Sequence, residues 1–453
     1  MRIDIPANVN TVLSTIRAAG FEAYIVGGCV RDAILGRAAQ DWDITTSAKP
    51  QQVKALFRRT VDTGIRHGTV TVLIGNDHYE VTTYRIDGDY KDGRHPEQVS
   101  FTDRLSEDLR RRDFTINAMA YSEETGLIDL FDGMGDLRRR KIRAVGNAEE
   151  RFGEDALRLM RALRFCAQLD YTMEESTREA VRKMSGNLRR ISAERIRSEL
   201  DKLLLSPHPE QLETAYALGV TKHFLPELDA CMICPQNNRR QQYNVGEHTL
   251  RAVCGAPADL IVRLALLLHD IAKPVCRVTD ADGQDHFEGH EKKGAAMAEA
   301  ILERLKYDNR TKKSVVRLIC SHSMEPEATP QGVRKAAAGI GKELFRRWLD
   351  VRQADALALA PSEAERVTHL VRQWRIMYEE MLERGDCLDL SGLAVGGADL
   401  IEAGIPRGEK IGMALEMLLE DVLENPEHNN RTYLLDAAQR GWQQGFERAE
   451  NRR

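Results

Sequence analysis

The stretch Ala23–Thr46, AYIVGGCVRDAILGRAAQDWDITT, decides the fold. It opens with the β-favouring run AYIV and breaks at Gly27-Gly28. It continues as the helical pattern CVRDAILGR and returns to a β-favouring run after Asp41-Trp42-Asp43. Paired glycines let backbone amides approach a ligand closely, and a helix start favours anions. On a strand, residues two apart share a face, so Asp41 and Asp43 point one way and Trp42 the other, as a core anchor. Two carboxylates this close repel unless something positive sits between them. The pair either holds a metal or is an ordinary polar turn.

Working outward, Glu80 appears in the strand-like run YEVTTYR, which can lie beside the first strand. A glycine turn with three carboxylates on neighbouring strands suits metal-assisted phosphoryl or nucleotidyl transfer. Hard divalent cations take oxygen ligands and clamp both the attacking and the leaving oxygen. The run RRDFTINAM (Arg111–Met119) adds chemistry of the same kind. Arg111 and Arg112 can neutralise a triphosphate through their guanidinium forks, and Asp113 and Asn117 can hydrogen-bond ribose hydroxyls. Phe114, Ile116 and Met119 read as core.

The chain has 453 residues, too many for one ordinary core, so three or four domains are expected. A hydrophobic content of 42% with 30% charged residues excludes a disordered chain. The formal net charge of −5 excludes a strongly basic protein overall, but Arg138–Lys202 holds 17 Lys/Arg against 11 Asp/Glu. That excess suits a polyanion or solvated helix faces. The N-terminus, MRIDIPANVN, does not read as a signal peptide, and no run approaches a membrane span. Eight cysteines without disulfide spacing, including the lone Cys231-x-x-Cys234, point to a reducing cytoplasm. Mixed α/β texture fills the first 145 residues. Beyond about residue 148 the texture is helical, with breaks near 206, 235–246 and 385–397.

The ordered series GGCVRDAILGR, DWDITT, YEVTTYR, RRDFTINAMAY and LIDLFDGMGDLRRRKIRAVG (Leu127–Gly146) resembles the class II tRNA nucleotidyltransferases and bacterial poly(A) polymerases, of the polymerase-β-like superfamily. The resemblance implies an α/β head over 1–145, a helical neck over 146–205, a helical body over 206–240, and a helical tail over 386–453 that contacts tRNA. By resemblance, Asp41 and Asp43 are the catalytic carboxylates that bind Mg²⁺, and Glu80 is the third acid. Gly27 and Gly28 hold the triphosphate, supported by Arg31 and Asp32. The family's base-reading motif matches Glu154-Asp155-Ala156-Leu157-Arg158, with Asp155 and Arg158 pairing with the incoming base and Arg161 as a third contact. Asp155 only accepts and Arg158 only donates. The same spacing also suits a routine salt-bridge ladder on one helix. RRISAERIRSEL (Arg189–Leu200) resembles the motif that braces this neck. The long loop Arg85–Phe101, with Arg94 and His95, resembles the form kept by enzymes that add the terminal A. In the tail, Gly404, Gly408 and Gly412 suit either an RNA phosphate or a tight helix–helix contact.

The segment 241–385 carries His248, LLLHDIAK (Leu266–Lys273) with His269-Asp270, then His290, His322 and Asp355. Histidine and aspartate are both metal ligands. The order resembles the HD phosphohydrolases, which implies a second divalent-metal site at His248, His269, Asp270 and Asp355. His290 and His322 fit the pattern's extra histidines, and His286 fits less well. The alternative is a helical scaffold whose histidines are satisfied polar groups. The implied activity is template-independent CCA addition to tRNA from CTP and ATP, by a nucleotidyltransferase that holds the acceptor arm through shape and phosphates. The alternatives are an A-adding enzyme or poly(A) polymerase, a metal-dependent phosphohydrolase, or a non-catalytic RNA-binding protein.

Overall fold

Hydrophobic spacing and tertiary pairing build a mixed sheet first. The computed structural model describes residues 2–39, 41–88 and 99–441. The chain divides into two units, Met1–Pro226 and Glu227–Arg453.

In the first unit, β1 (Ala23–Val26), β2 (Ile44–Thr46), β3 (Thr60–Gly64), β4 (Thr69–Ile74) and β5 (Asp77–Thr83) form most of a seven-stranded sheet. A short ribbon of β6 (Arg85–Asp87) and β7 (Val99–Phe101) follows, and β8 (Met119–Ser122) and β9 (Gly126–Asp129) complete the sheet. The order is β3-β4-β5-β2-β1-β8-β9. β2 therefore lies between β5 and β1, parallel to the first and antiparallel to the second. Ile25, Ile44, Val70, Val72 and Val81 are buried, so the centre of the sheet is sealed on its apolar positions. The helix Ala7–Ala18 buries Val9, Val12, Leu13 and Ile16, the spacing of one helical face.

A helical neck follows. The helix Leu157–Leu169 buries ten of its thirteen residues, and Ala193–Leu204 packs alongside it. Arg164 is buried between them, with Nε donating to Glu199 Oε2 at 2.5 Å and its guanidinium 4.0 Å from the Phe165 ring centroid. A buried charge of this kind persists only because it is paired and stacked.

Among its described residues the second unit is helical apart from the short antiparallel pair Val278–Thr279 and Asp285–His286. Phe345 stacks on Trp348 with ring centroids 5.0 Å apart, and Trp348 meets Trp374 at 5.4 Å. The tail has its own small core, centred on Leu400, Leu418, Val422 and Leu434. Gly404, Gly408 and Gly412 do not make the tight helix–helix contact that their spacing also suits. A Cβ at Gly404, Gly408 or Gly412 would meet nothing within 4 Å, and Gly404 and Gly408 take φ of +94° and +103° in the connection between the helices Gly397–Glu402 and Glu409–Glu424. Backbone conformation, not close packing, explains glycine at those two turns.

Candidate functional sites

The head site is assembled on three adjacent strands, at the end of β1, the start of β2 and the middle of β5. Asp41, Trp42 and Asp43 precede β2 rather than belonging to it, although Asp43 O still accepts a hydrogen bond from Val26 N at 3.0 Å. Register places Glu80 on β5 one residue before Val81, the partner of Ile44, so Asp43 and Glu80 are neighbours across the strand pair. All three carboxylates reach solvent and share one cleft of about 580 Å³. The expected opposition of Trp42 fails. Outside the regular strand the strict alternation of side chains lapses, and Trp42 is half-buried and lines that same cleft.

The electrostatics are those of a crowded acidic site. Partial desolvation raises the Asp43 carboxyl, and Asp41 raises it further, while Arg112 opposes both. Glu80 is likewise raised by desolvation, then by Asp43 and Asp41. Such carboxylates accept a hard cation as their natural counter-charge.

Gly27 lies on the other flank of Asp43. At its φ of +84°, a Cβ would sit 3.2 Å from Arg112 Nη1 and 3.8 Å from Asp43 Oδ2. Glycine is therefore favoured by the backbone conformation, and a side chain here would also crowd the Arg112 guanidinium. Gly28 opens the helix Gly28–Ile34, which carries Arg31. Arg31 is held by Asp32, with Nε–Oδ1 at 2.9 Å, and donates to Asn117 Oδ1 at 2.7 Å. Asn117 Nδ2 in turn donates to Asp113 Oδ1 at 3.2 Å. Arg161 donates to Asp113 Oδ2 through Nε at 2.8 Å and Nη2 at 2.5 Å. Burial alone would raise Asp113, but the Arg161 guanidinium, joined by Arg158 and Asn117, outweighs it and holds the carboxyl down at about 2.

Two partners escaped the sequence reading. Asp108 is fully buried and anchors both arginines of the RRD run, at 2.7 Å from Arg111 Nη2 and 3.3 Å from Arg112 Nη2. Burial pushes its carboxyl up, and the two guanidinium groups more than reverse that. Its spacing, three and four residues before the arginines, is the signal that was available. Arg195 is the second. It donates to Asp155 through Nη1 to Oδ1 at 3.2 Å and Nη2 to Oδ2 at 2.7 Å.

That fork corrects the expected helix. Glu154 ends the helix Ala148–Glu154, Asp155 is extended, and the next helix begins at Leu157. Asp155 Oδ1 accepts from Leu157 N at 3.0 Å, which satisfies an otherwise orphaned amide at the helix start. Arg158 pairs with Glu154 at 2.5 Å, not with Asp155, and donates to Arg111 O at 3.0 Å. The Asp155–Arg158 pair is thus braced from outside itself and set directly against the RRD run. Arg94 and His95 lie outside the described residues.

The second site lies wholly within the second unit. His248 is on the helix Val245–Gly255, and His269-Asp270 follow the helix Leu260–Leu268. His290 opens the helix His290–Arg304, His322 follows Asn309–Ser321, and Asp355 is on Lys342–Leu357. Each histidine Nδ1 faces a backbone carbonyl: His248 to Ala358 O at 3.2 Å, His269 to Leu266 O at 2.6 Å, His290 to Phe287 O at 2.7 Å and His322 to Ile319 O at 2.7 Å. A carbonyl only accepts, so each Nδ1 carries the proton and each Nε2 presents a lone pair in the neutral ring. Those Nε2 atoms converge. His248 and His269 are 3.3 Å apart, His290 and His322 3.4 Å apart, and Asp270 lies 3.2 Å from His269 and 3.5 Å from His290. Asp355 Oδ1 completes one side at 2.9 Å from His248 Nε2.

Both Asp270 oxygens are buried without a properly directed hydrogen bond, though the Lys273 ammonium is 2.7 Å from Oδ2. Acceptors facing acceptors in a sealed site call for a cation, and two overlapping donor sets share Asp270: His248 with His269, and His290 with His322. The donor set fits a divalent metal. His286 stands apart from it, exposed and paired with Asp280 at 2.7 Å.

Comparison with known proteins follows this division. Residues 23–143 match the poly A polymerase head domain, 170–232 a probable RNA- and SrmB-binding site of polymerase A, and 244–383 the HD domain. The head-domain family depends on divalent metal, and HD domains bind metal. The chain is 56% identical over 200 residues to a CCA-adding enzyme of Lactobacillus delbrueckii subsp. bulgaricus, covering 44% of this chain and 50% of that one. It is 53% identical over 217 residues to a CCA-adding enzyme of Streptococcus suis, covering 48% and 54%. The chain thus spans about half the length of the curated relatives it matches. Among solved structures, the Bacillus stearothermophilus CCA-adding enzyme in complex with CTP superposes with a TM-score of 0.72 at 29% identity, over 98% of both chains. The Thermotoga maritima CCA-adding enzyme complexed with tRNA shares the fold, with a TM-score of 0.59 at 20% identity over 97% of this chain and all of that one. No helix among the described residues is long and apolar enough to cross a membrane.

Proposed function

We propose, for a chain that belongs to the tRNA nucleotidyltransferase and poly(A) polymerase family and carries an HD domain, template-independent addition of CCA to the 3′ end of tRNA from CTP and ATP. The observation that carries it is the placement of Asp43 between Gly27 and Arg112 on one flank and Glu80 on the other, with Arg158 bonded to the adjoining Arg111 carbonyl. Phosphate-neutralising, metal-holding and base-reading groups are then contiguous.

Asp41 and Asp43, aided by Glu80, hold Mg²⁺. When bound, the ion neutralises phosphate charge and favours ionisation of the attacking 3′-hydroxyl. Gly27 and Gly28 allow the triphosphate close to the backbone, and Arg112, fixed by Asp108, faces it. Asp113 and Asn117, held by Arg161 and Arg31, position the ribose. Asp155 and Arg158 select the base. The Arg195 fork and Leu157 N engage Asp155 Oδ1 twice and Oδ2 once, so Oδ2 retains capacity for an exocyclic amino group. Arg158 still has Nε–H and one Nη2–H to give to a base's ring nitrogen and carbonyl. Cytosine and adenine offer the amino group and guanine and uracil do not offer it at that edge, so the wrong base leaves polar groups unpaired. We assign catalysis to 1–145, base selection to 146–205 and tRNA contact to 386–453, with 206–240 as the body and 241–385 as the HD-type domain. Eight free thiols suit a reducing compartment, and we place the reaction in the cytoplasm.

The buried His–Asp cluster supports a second activity in the same chain, metal-dependent hydrolysis of phosphate or cyclic phosphate at RNA ends. Its donors form a site of their own, within the second unit.

End-labelled tRNA transcripts stopping before CCA, after C and after CC, given CTP and ATP separately and together, test the main reading. CCA addition to the first of them is the expected result. Extension of the CC-ended RNA alone makes the chain an A-adding enzyme, and unlimited A addition makes it a poly(A) polymerase. No extension at all overturns nucleotidyl transfer.

A further inference from the structure

The groups assigned to the nucleotide all stand on one side of the head carboxylates. Gly27 and Arg112 flank Asp43 from the β1 side, and Arg31 and Asn117 lie behind them. The cleft of about 580 Å³ opens on the other side, toward β5. Pro6, Trp42, His78 and Tyr79 line it together with Asp41, Asp43 and Glu80, whereas Gly27, Gly28, Arg31, Arg112, Asp155 and Arg158 do not.

This asymmetry has a chemical meaning. In-line displacement at phosphorus sets the attacking oxygen and the leaving pyrophosphate on opposite sides of the reacting phosphate. With the triphosphate on the β1 side, the 3′-hydroxyl must arrive from the β5 side, through the cleft. A volume of this order takes one nucleotide. Trp42 is the one large aromatic ring set between the two aspartates, half-buried in a lining that is otherwise mostly polar. An aromatic face binds any base, because every base has a π face. That tolerance suits an acceptor end that changes identity after each addition. His78, two residues from Glu80 and on the same face of β5, offers a donor to the terminal ribose or phosphodiester.

We propose that this cleft seats the 3′-terminal nucleotide of the acceptor RNA, with its base stacked on Trp42. The proposal deepens the nucleotidyl-transfer function and rests on it. It makes Trp42 a binding residue for the RNA and not for the incoming nucleotide.

The test uses the full chain and two sets of tRNA transcripts, one ending in a normal nucleotide and one ending in an abasic residue at the same position. Wild type, Trp42→Ala and Trp42→Phe are compared under varied RNA and varied CTP. Wild type should lose about 5- to 100-fold in kcat/KM on the abasic end, the range that stacking on one aromatic contributes. Trp42→Ala should raise KM for normal RNA by a similar factor, leave KM for CTP within about twofold, and no longer distinguish the abasic end. Trp42→Phe should recover most of the loss. A penalty for the abasic end that persists in Trp42→Ala, or a loss confined to KM for CTP, overturns the proposal. If circular dichroism shows Trp42→Ala to be unfolded, Trp42→Leu takes its place: a leucine that matches phenylalanine in RNA affinity also overturns it. Failure of wild type to extend normal RNA sinks nucleotidyl transfer and this cleft's role together, whereas extension with an unaltered abasic penalty sinks only the latter.

Discussion

Asp43 and Asp270 are both carboxylates set among other metal-binding groups, yet their surroundings are opposite. Asp43 reaches solvent at its edge beside two further acids, and partial desolvation, then the charge of the neighbouring acids, raises both it and Glu80. Asp270 is 1% exposed among four imidazoles, each turned inward by a backbone carbonyl. Among the described residues, donor atoms converge within 4.8 Å around Asp270 and not around Asp43. The difference teaches how each site meets its cation. An open set of carboxylates would leave coordination positions for substrate phosphates, so an ion held there would be shared with the nucleotide. A mostly buried set of imidazoles around one carboxylate is assembled before any substrate arrives, so an ion held there would be resident, with the partly exposed His290 side left for a substrate.

The largest effect should come from breaking the open site. Asp43→Ala should cut nucleotide addition by about 10³-fold or more, the several kcal/mol a catalytic metal contributes. Metal bound at the buried cluster, measured by mass spectrometry of the purified protein, should not change. A variant that keeps addition within tenfold removes Asp43 from the metal's ligands. The second effect lies on the sealed side. Asp270→Asn deletes the shared ligand, and metal content should fall by about 10- to 100-fold in affinity while CCA addition continues. Loss of addition together with the metal would mean that the two sites are not independent. The smallest effect sharpens the picture inside the head. Arg195→Ala removes the fork on Asp155, so discrimination of CTP over UTP should fall by about 10- to 100-fold, the loss of a charge-assisted hydrogen bond. The rate with CTP should fall less. Equal loss on both nucleotides would make Arg195 a purely structural residue.

Much of this was legible in the residue order. AYIVGG, DWDITT and YEVTTYR gave strands β1, β2 and β5, because β-branched and aromatic runs bounded by glycine and aspartate have few other conformations. His269-Asp270 after an apolar helix gave the second cluster, since a buried ionisable pair needs compensation. What was not legible is pairing at a distance. Arg195 is forty residues from Asp155, and nothing in ISAERIRSEL specifies which acid it meets. Asp108 differs in kind: its spacing to Arg111 and Arg112 is local, and only its burial beneath them depends on the tertiary fold. Strand periodicity sends Trp42 to the core, but β2 begins only at Ile44, so the alternation does not yet hold at Trp42.

Residue order was enough to set the local chemistry: glycine where φ is positive, acids two apart, histidines next to apolar helices. These follow from single residues and their neighbours, which propensity and spacing govern. Only the tertiary structure decided which charges are shared, which are sealed and which side of Asp43 stays open. Those outcomes depend on strand order and helix packing, which bring together residues that no local rule connects.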